Sequence, residues 1–118
     1  MIHNFRELAV WQKAMQITRD LYLLTKSFPK DEMFGMVSQI RRAAASIPAN
    51  IAEGAGRSTD AELVRFIDIA VGSAFELETW LILAGDLEYM NKEQSQLLVS
   101  NTQEIQRMLA GLRLRYKK

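Results

Sequence analysis

The sequence predicts an all-α protein: an antiparallel up-down-up-down four-helix bundle that forms a single domain over residues 1–118. Three observations predict this fold. Apolar residues recur with helical spacing along most of the chain, no segment alternates with the period of two that a strand requires, and the connections between the long segments are short. Segments of about 22 residues make rods roughly 33 Å long. Short connections between such rods place consecutive helices antiparallel.

Two helices are predicted in the first half of the chain. The first covers residues 5–27 and is ended by Pro29, which cannot continue a helix. The second begins near Asp31, whose carboxylate suits an N-cap, and runs to Ala52 or Glu53, where a pair of glycines supplies the stop. On the second helix, the buried side is predicted to include the apolar positions Phe34, Val37, Ile40, Ala44, Ile47 and Ile51.

Capping signals mark the start of the other two helices. Thr59 and Glu62 have the spacing of a capping box, and the third helix is predicted to continue to about Gly85. Asn91 is predicted to cap the fourth helix, which runs into a basic tail. Within the third helix, Gly72 predicts a close approach to the alanine-rich middle of the second helix, since glycine otherwise costs about 1 kcal/mol there.

Composition excludes several classes of protein. The chain has no cysteine, so disulfide scaffolds, thiol nucleophiles and cysteine-based metal sites are excluded, and His3 is its one histidine. We therefore expect no metal or cofactor. Neither a signal peptide nor a membrane-spanning run is recognisable, so we expect a cytoplasmic protein. The net charge of +1 is unevenly distributed, because residues 61–100 carry two basic and seven acidic side chains whereas residues 101–118 carry five and one.

The third helix is too apolar for a lone subunit. Its apolar side chains spread over roughly two thirds of the helical wheel, which is more than a four-helix bundle buries on one helix. Monomers seldom expose contiguous apolar patches beyond a few hundred Å². We therefore expect an obligate homo-oligomer whose interface uses the first and third helices.

Two charged residues lie inside apolar arcs. Arg41 projects between the directions of Phe34 and Val37, and Glu78 lies within the apolar arc of the third helix. Since an unpaired buried charge costs several kcal/mol, we predict a structural ion pair between Arg41 and Glu78, with Glu76 as the substitute partner. A role in fixing helix register is favoured over a catalytic one.

A polar ladder follows the other side of the second helix at spacings of three and four, formed by Gln39, Arg42, Ser46, Asn50 and Glu53. This ladder is compatible either with a solvent-exposed face or with a row of side chains that bind phosphates or base edges. Arg57 adds a cation before the third helix. The basic tail contains Arg107, Arg113, Arg115, Lys117 and Lys118, and fits either a complement to the helix dipole or part of a positive field.

The stretches FRELAVWQKA and FGMVSQIRRAAASIPANIAEGAGRSTDAELVRFIDIAVGSAFELETWLILA carry a resemblance to a known family. From Phe5 to about Met90 the chain resembles the bacterial four-helix bundle family of 23S rRNA intervening-sequence proteins. The resemblance implies an up-and-down bundle that assembles as a homopentameric ring and has no established enzymatic activity. The matching signature positions are Ser38, Gln39, Arg41, Arg42, Ser46, Pro48, Asn50, Glu53, Gly54, Gly56, Arg57 and Glu76 to Glu78.

The resemblance also implies kinship to the accessory variability proteins of diversity-generating retroelements, basic pentamers that bind nucleic acid and a reverse transcriptase. This chain departs from them in being nearly neutral, with a pI of about 8.0.

Three functional hypotheses follow. The first is an oligomer that binds RNA or DNA, with phosphate contacts from Arg42, Arg57, Arg113, Arg115, Lys117 and Lys118. The second is a protein-interaction scaffold without nucleic acid. The third and weakest is an enzyme with a carboxylate-only metal site near Glu53, Glu76 and Glu78, since the Glu-x-x-His pattern of di-iron bundles is absent.

Overall fold

Four long helices make up most of the chain. The computed structural model describes residue 2 and residues 4–117, and its helices are α1 (Ala9–Leu24), α2 (Met36–Ala55), α3 (Asp60–Asp86) and α4 (Lys92–Tyr116). Short 3-10 turns at Phe5–Glu7, Thr25–Ser27 and Lys30–Glu32 precede and follow α1. The part of the chain so described contains no strand. Extensive packing joins α2 to α3 and α3 to α4, whereas α1 packs on α2 and more lightly on α4. The predicted four-helix, all-α fold is confirmed.

Each helix buries a seam with the seven-residue repeat of coiled coils. On α3 the fully buried positions are 63, 67, 70, 74, 77, 81 and 84, which alternate in steps of four and three. Such a repeat keeps one narrow stripe facing the partner helices and favours left-handed packing. The core is formed by Val10, Ala14, Ile17 and Leu21 of α1, Val37, Ile40, Ala44, Ile47 and Ile51 of α2, the seven α3 positions, and Leu98, Thr102, Ile105, Leu109 and Leu112 of α4.

The predicted first helix is divided in the structure. Leu8 has an extended backbone (φ −70°, ψ 125°), so the turn at Phe5–Glu7 is separate from α1. The side chain of Gln12 donates to the carbonyl of Arg6 at 2.8 Å and ties the two pieces together. The helical periodicity was therefore correct, but the chain bends where Leu8 leaves the helical region.

The predicted start of α2 was wrong. Asp31 lies in a 3-10 turn and α2 begins five residues later, at Met36. The carboxylate of Glu32 caps α2 instead, because it accepts the Met36 backbone N–H at 3.2 Å. Phe34 consequently lies outside the helix register and is 95% exposed, although the sequence predicted it to be buried.

Both predicted caps in the second half of the chain are confirmed. Thr59 Oγ1 accepts the backbone N–H of Glu62 at 3.2 Å, and Asn91 Oδ1 accepts that of Gln94 at 2.8 Å. The Thr59 hydroxyl also donates to the Glu62 carboxylate at 3.1 Å. These contacts satisfy donors that the first turns of α3 and α4 leave free.

Close helix packing occurs at glycines other than Gly72. A Cβ on Gly72 would meet nothing within 4 Å, so the predicted close approach there was wrong. A Cβ on Gly54 would lie 2.9 Å from the Cβ of Phe66, and one on Gly85 would lie 2.8 Å from the Cβ of Ser95. Gly72 instead lies on the outer side of α3, away from the alanines of α2.

None of the helices, over the residues described, is both long and apolar enough to cross a membrane.

Candidate functional site

A small polar depression lies between the middle of α2 and the middle of α3. We call it the α2–α3 groove: it has a volume of about 420 Å³ and is lined by Arg42, Ala43, Ser46, Ser73 and Glu76. The hydroxyls of Ser46 and Ser73 are hydrogen-bonded across it at 2.8 Å. Three members of the groove, Arg42, Ser46 and Glu76, belong to the signature positions of the sequence. Only Arg42 and Ser46 of the predicted polar ladder line the groove.

Side-chain hydrogen bonds organise the groove. Asn50 Nδ2 donates to the backbone carbonyl of Ser46 at 2.8 Å and to its hydroxyl at 2.9 Å. Trp80 Nε1 donates to the carboxylate of Glu76 at 3.3 Å. The groove therefore presents one guanidinium, one carboxylate and two hydroxyls, a set that suits a ligand with both donors and acceptors better than a bare phosphate.

Ser73 was missed as a groove residue in the sequence, as was Trp80, which does not line the groove but donates to Glu76. The sequence did contain a signal for Ser73. In the hairpin between α2 and α3, two residues lie level with each other when their residue numbers add up to about 116. The residue numbers of Ser46 and Ser73 give a sum that differs from this value by less than one helical turn.

The other residues predicted to contact phosphates lie where α2 and α4 end and α3 begins. We call this the basic end and define it by Arg57, Arg113, Arg115 and Lys117; Lys118, also predicted here, and His3 lie outside the described residues. From residue 105 to residue 117 the chain carries four basic side chains and no acidic one. Arg115 and Lys117 are exposed, so their charges face solvent.

Two cations of the basic end have internal partners. Arg57 pairs with Glu53 at 3.3 Å and stacks over the Phe66 ring at 4.7 Å from its centroid. Arg113 donates to both carboxylate oxygens of Asp68. This hydrogen bonding raises the pKa of the Arg113 guanidinium above its usual value. Both pairs are partly exposed, and such surface pairs are worth little energy.

Arg42 does not join the basic end. It lies 13 residues before the last residue of α2, which corresponds to about 20 Å along the helix axis. The predicted set of phosphate-contacting residues is thus divided between the α2–α3 groove and the basic end.

The predicted ion pair between Arg41 and Glu78 was wrong. Arg41 donates to Thr25 Oγ1 at 3.0 Å and to the carbonyl of Tyr22 at 3.1 Å, and its guanidinium lies over the Tyr22 ring. Glu78 accepts from Gln103 at 3.1 Å and from Gln106 at 2.7 Å. The two side chains are level with each other, but Arg41 lies on the α1 side of α2 and Glu78 on the α4 side of α3.

The carboxylates proposed for a metal site have separate partners. Glu53 pairs with Arg57, Glu76 accepts from Trp80, and Glu78 is bound by two glutamines. Within the described residues no group of three or more acidic, histidine or cysteine side chains has the arrangement of a metal site. The geometry gives the enzyme hypothesis no support.

The outer side of α3 exposes several large apolar side chains in the single chain, which lie among the exposed side chains of Arg65, Asp68, Glu76 and Thr79. Ile69 is 43% exposed, Phe75 55%, and Ile82 46%, with Leu83 beside them and Gly72 in their midst. The buried seam uses only one stripe of this helix, as the breadth of its apolar arc predicted. We call this surface the α3 outer face.

The family of the chain follows from comparison with known proteins. The family model described as 23S rRNA-intervening sequence protein matches residues 6–111. The chain is also similar to a crystal structure of a protein of unknown function from the S23 ribosomal protein family of Bacteroides thetaiotaomicron. The two share 30% sequence identity with a TM-score of 0.82, over 88% of this chain and 97% of that one. No match to a curated protein was found.

The model match extends over nearly all of the bundle, including most of α4, which the sequence resemblance covered only loosely. The chain therefore belongs to the family of 23S rRNA-intervening sequence proteins.

Proposed function

We propose that the protein is a non-enzymatic homo-oligomer that binds RNA or DNA through the combined basic ends of its subunits. The observation that carries the proposal is the C-terminal stretch from residue 105 to residue 117, which contains four basic side chains and no acidic one and in which Arg115 and Lys117 are exposed. Phosphate contacts need clustered, solvent-facing cations rather than a high net charge. The reference to 23S rRNA in the family description agrees with an RNA partner.

One subunit has few phosphate-binding cations, and self-association brings the cations of several subunits together. A single basic end offers only a few cations, and two of them are engaged with Glu53 and Asp68. Copies assembled in parallel would place several basic ends on one surface, and multivalency then raises affinity without any new kind of interaction. The α3 outer face supports such an assembly, because Ile69, Phe75, Ile82 and Leu83 are between 38% and 55% exposed there. A ring of five is the size that the family resemblance implies.

Nucleic-acid binding is tested by titration of labelled single-stranded and double-stranded RNA and DNA between about 50 and 200 mM salt. We expect binding that weakens steeply with salt. The double variant Arg115→Gln/Lys117→Gln should lower affinity and reduce the salt slope by about one for each phosphate-binding cation removed. The matched control is Lys26→Gln/Lys92→Gln, which removes two exposed charges at the other end of the bundle. Absence of binding at the lowest salt would overturn the proposal.

Self-association is tested separately by light scattering on the eluting protein. We expect an oligomer at micromolar concentration, and Phe75→Asp should shift it toward smaller species because a carboxylate would be buried without a partner. Leu114→Asp is the control, since Leu114 is 77% exposed on α4, away from the α3 outer face. A monomeric wild-type protein contradicts this half of the proposal.

A protein-binding scaffold is the second candidate, and the α2–α3 groove favours it. Glu76 beside Arg42 opposes a phosphate but suits a peptide segment that carries both donors and acceptors. Ser73→Trp would fill the groove without changing charge. A protein partner retained after nuclease treatment and lost in this variant supports the scaffold, whereas loss on nuclease treatment alone supports the nucleic-acid role.

A further inference from the structure

Arginines lie over aromatic rings at the end of the bundle that holds the basic end. Four arginine–aromatic pairs occur in the described part of the chain, and three of them are at this end. They share it because the antiparallel order places the start of α1 at the same end as the end of α2, the start of α3 and the end of α4. The distances from guanidinium carbon to ring centroid, all within the range of cation–π attraction, are 5.5 Å for Arg6 over Phe5, 4.7 Å for Arg57 over Phe66 and 5.7 Å for Arg115 over Tyr116.

In each of these three pairs the arginine is exposed and the ring is half-buried. The bundle holds the rings in place. Phe5 meets Trp11 edge to face with ring centroids 5.3 Å apart, and Tyr116 packs against the core. Phe66 packs against Gly54, where an added Cβ would lie 2.9 Å from the Cβ of Phe66. Rings fixed in this way lose little conformational freedom when a ligand binds.

Arg6 is a cation at this end that does not belong to the basic end as defined above. Its turn is fixed, because Asn4 Oδ1 accepts the Arg6 backbone N–H at 3.1 Å and Gln12 donates to the Arg6 carbonyl at 2.8 Å. Within the described residues the guanidinium of Arg6 has no carboxylate within salt-bridge distance, and the same is true of Arg115. Arg41, the arginine of the fourth pair, instead donates to α1 and to the turn that follows it. The donors of Arg6 and Arg115 are therefore available to a ligand.

A recess of about 390 Å³ adjoins one of the pairs and is lined by Asp60, Ala61, Val64, Tyr116 and Lys117. Lys117 suits a phosphate. Asp60 would repel a phosphate, but its carboxylate can accept a hydrogen bond from the exocyclic amine of a base. The recess therefore offers space and a hydrogen-bond acceptor for a base beside Tyr116.

We propose that this end of the bundle binds single-stranded nucleic acid, with unstacked bases lying on the arginine–aromatic pairs. The proposal rests on the proposed function and narrows the partner to strands whose bases are free to stack. Guanidinium planes and aromatic rings are surfaces on which proteins stack the bases of single strands. A duplex keeps its bases stacked inside the double helix, so it offers these pairs only its phosphates.

Strand preference is the first test. A single strand without self-complementarity and a hairpin duplex with the same number of nucleotides are titrated with the wild-type protein at one salt concentration. We expect the single strand to bind on the order of 10-fold more tightly, because stacking of even one base is worth about this factor. A duplex that binds as tightly as the single strand would overturn the inference.

Arg6→Lys separates stacking from charge, because lysine keeps the positive charge but lacks the planar guanidinium. We expect the affinity for the single strand to fall on the order of 10-fold, while the affinity for the duplex and the salt slope stay unchanged. Arg19→Lys is the matched control, since Arg19 is an exposed arginine of α1 that lies over no ring of the described residues. An unchanged single-strand affinity, or an equal loss for both nucleic acids, would overturn the inference.

The outcomes separate this inference from the proposed function. A protein that binds neither nucleic acid at about 50 mM salt contradicts both. Salt-sensitive binding without a preference for single strands contradicts base stacking and leaves the phosphate contacts of the basic ends intact.

Discussion

Tyr89 joins the turn before α2 to the end of α3. Its hydroxyl donates to Glu32 at 2.9 Å, and its ring packs against Phe28 with centroids 5.6 Å apart. The hydrogen bond to Glu32, with a smaller effect of burial, raises the pKa of Tyr89 above its usual value of 10.0. A raised pKa means that the folded protein favours the neutral phenol. The stability that the neutral Tyr89 hydroxyl contributes is therefore complete below pH 10, and it is lost as the pH rises through the folded-state pKa of Tyr89.

We expect Tyr89→Phe to lower the free energy of unfolding at pH 8 and to lower it less at pH 11. The variant lacks the hydroxyl at every pH, whereas the wild-type protein loses the neutral hydroxyl only in alkali. Urea unfolding curves of both proteins across this range measure the difference. If the free energies of unfolding of the two proteins changed equally with pH, the proposed role of the Tyr89 hydroxyl would be contradicted.

Helix packing depends on two glycines that lack room for a side chain. Gly54 faces Phe66 across the α2–α3 hairpin, and Gly85 faces Ser95 across the α3–α4 hairpin. Ser95 is buried there and donates its hydroxyl to the carbonyl of Leu81 at 3.0 Å. Gly72 differs from both, because a Cβ at that position would project into open space.

This contrast predicts opposite effects for the same substitution. Gly85→Ala should destabilise the protein by about 1–3 kcal/mol, since the added carbon forces α3 and α4 apart. Gly72→Ala should stabilise the single chain by up to about 1 kcal/mol through its higher helix propensity. Urea unfolding measures both, in the Phe75→Asp background so that self-association does not contribute. Destabilisation by Gly72→Ala in that background would show that α3 is packed differently.

Across the whole molecule, the exposed large apolar side chains are unevenly distributed, although Leu114 is exposed at the basic end. Most of them lie on the α3 outer face and at the end that carries Phe34, whereas Leu114 lies at the basic end with Arg115 and Lys117. Parallel association through the apolar regions would leave the basic ends together and free to bind phosphates. The distribution of surface chemistry thus links the proposed assembly to the proposed function.

An obligate oligomer gives a concentration-dependent Tm, because association stabilises the folded chain by mass action. We expect the Tm of the wild-type protein to rise with protein concentration, and that of Phe75→Asp to change less. Differential scanning calorimetry over a wide concentration range measures this. A wild-type Tm independent of concentration would contradict an obligate oligomer.

Local signals in the sequence were sufficient for the fold. Periodic apolar residues predicted four helices, and the capping residues Thr59 and Asn91 lie at the helix starts that they predicted. These features depend on residues within one or two helical turns of each other, so they can be recognised in the sequence without knowing which distant residues pack against them. The start of α2 was the exception, because its cap comes from Glu32 after an intervening turn rather than from Asp31.

The sequence alone determined the four helices, their antiparallel order and the excess of apolar surface on α3. Only the tertiary structure decided which neighbour each side chain meets. Arg41 donates to Tyr22 of α1 instead of pairing with Glu78, and Phe34 is exposed although it has the spacing of a core residue. The physical reason is rotational: a helix in a bundle faces two neighbours, and spacing along the chain fixes the level of a side chain but not which of the two it meets.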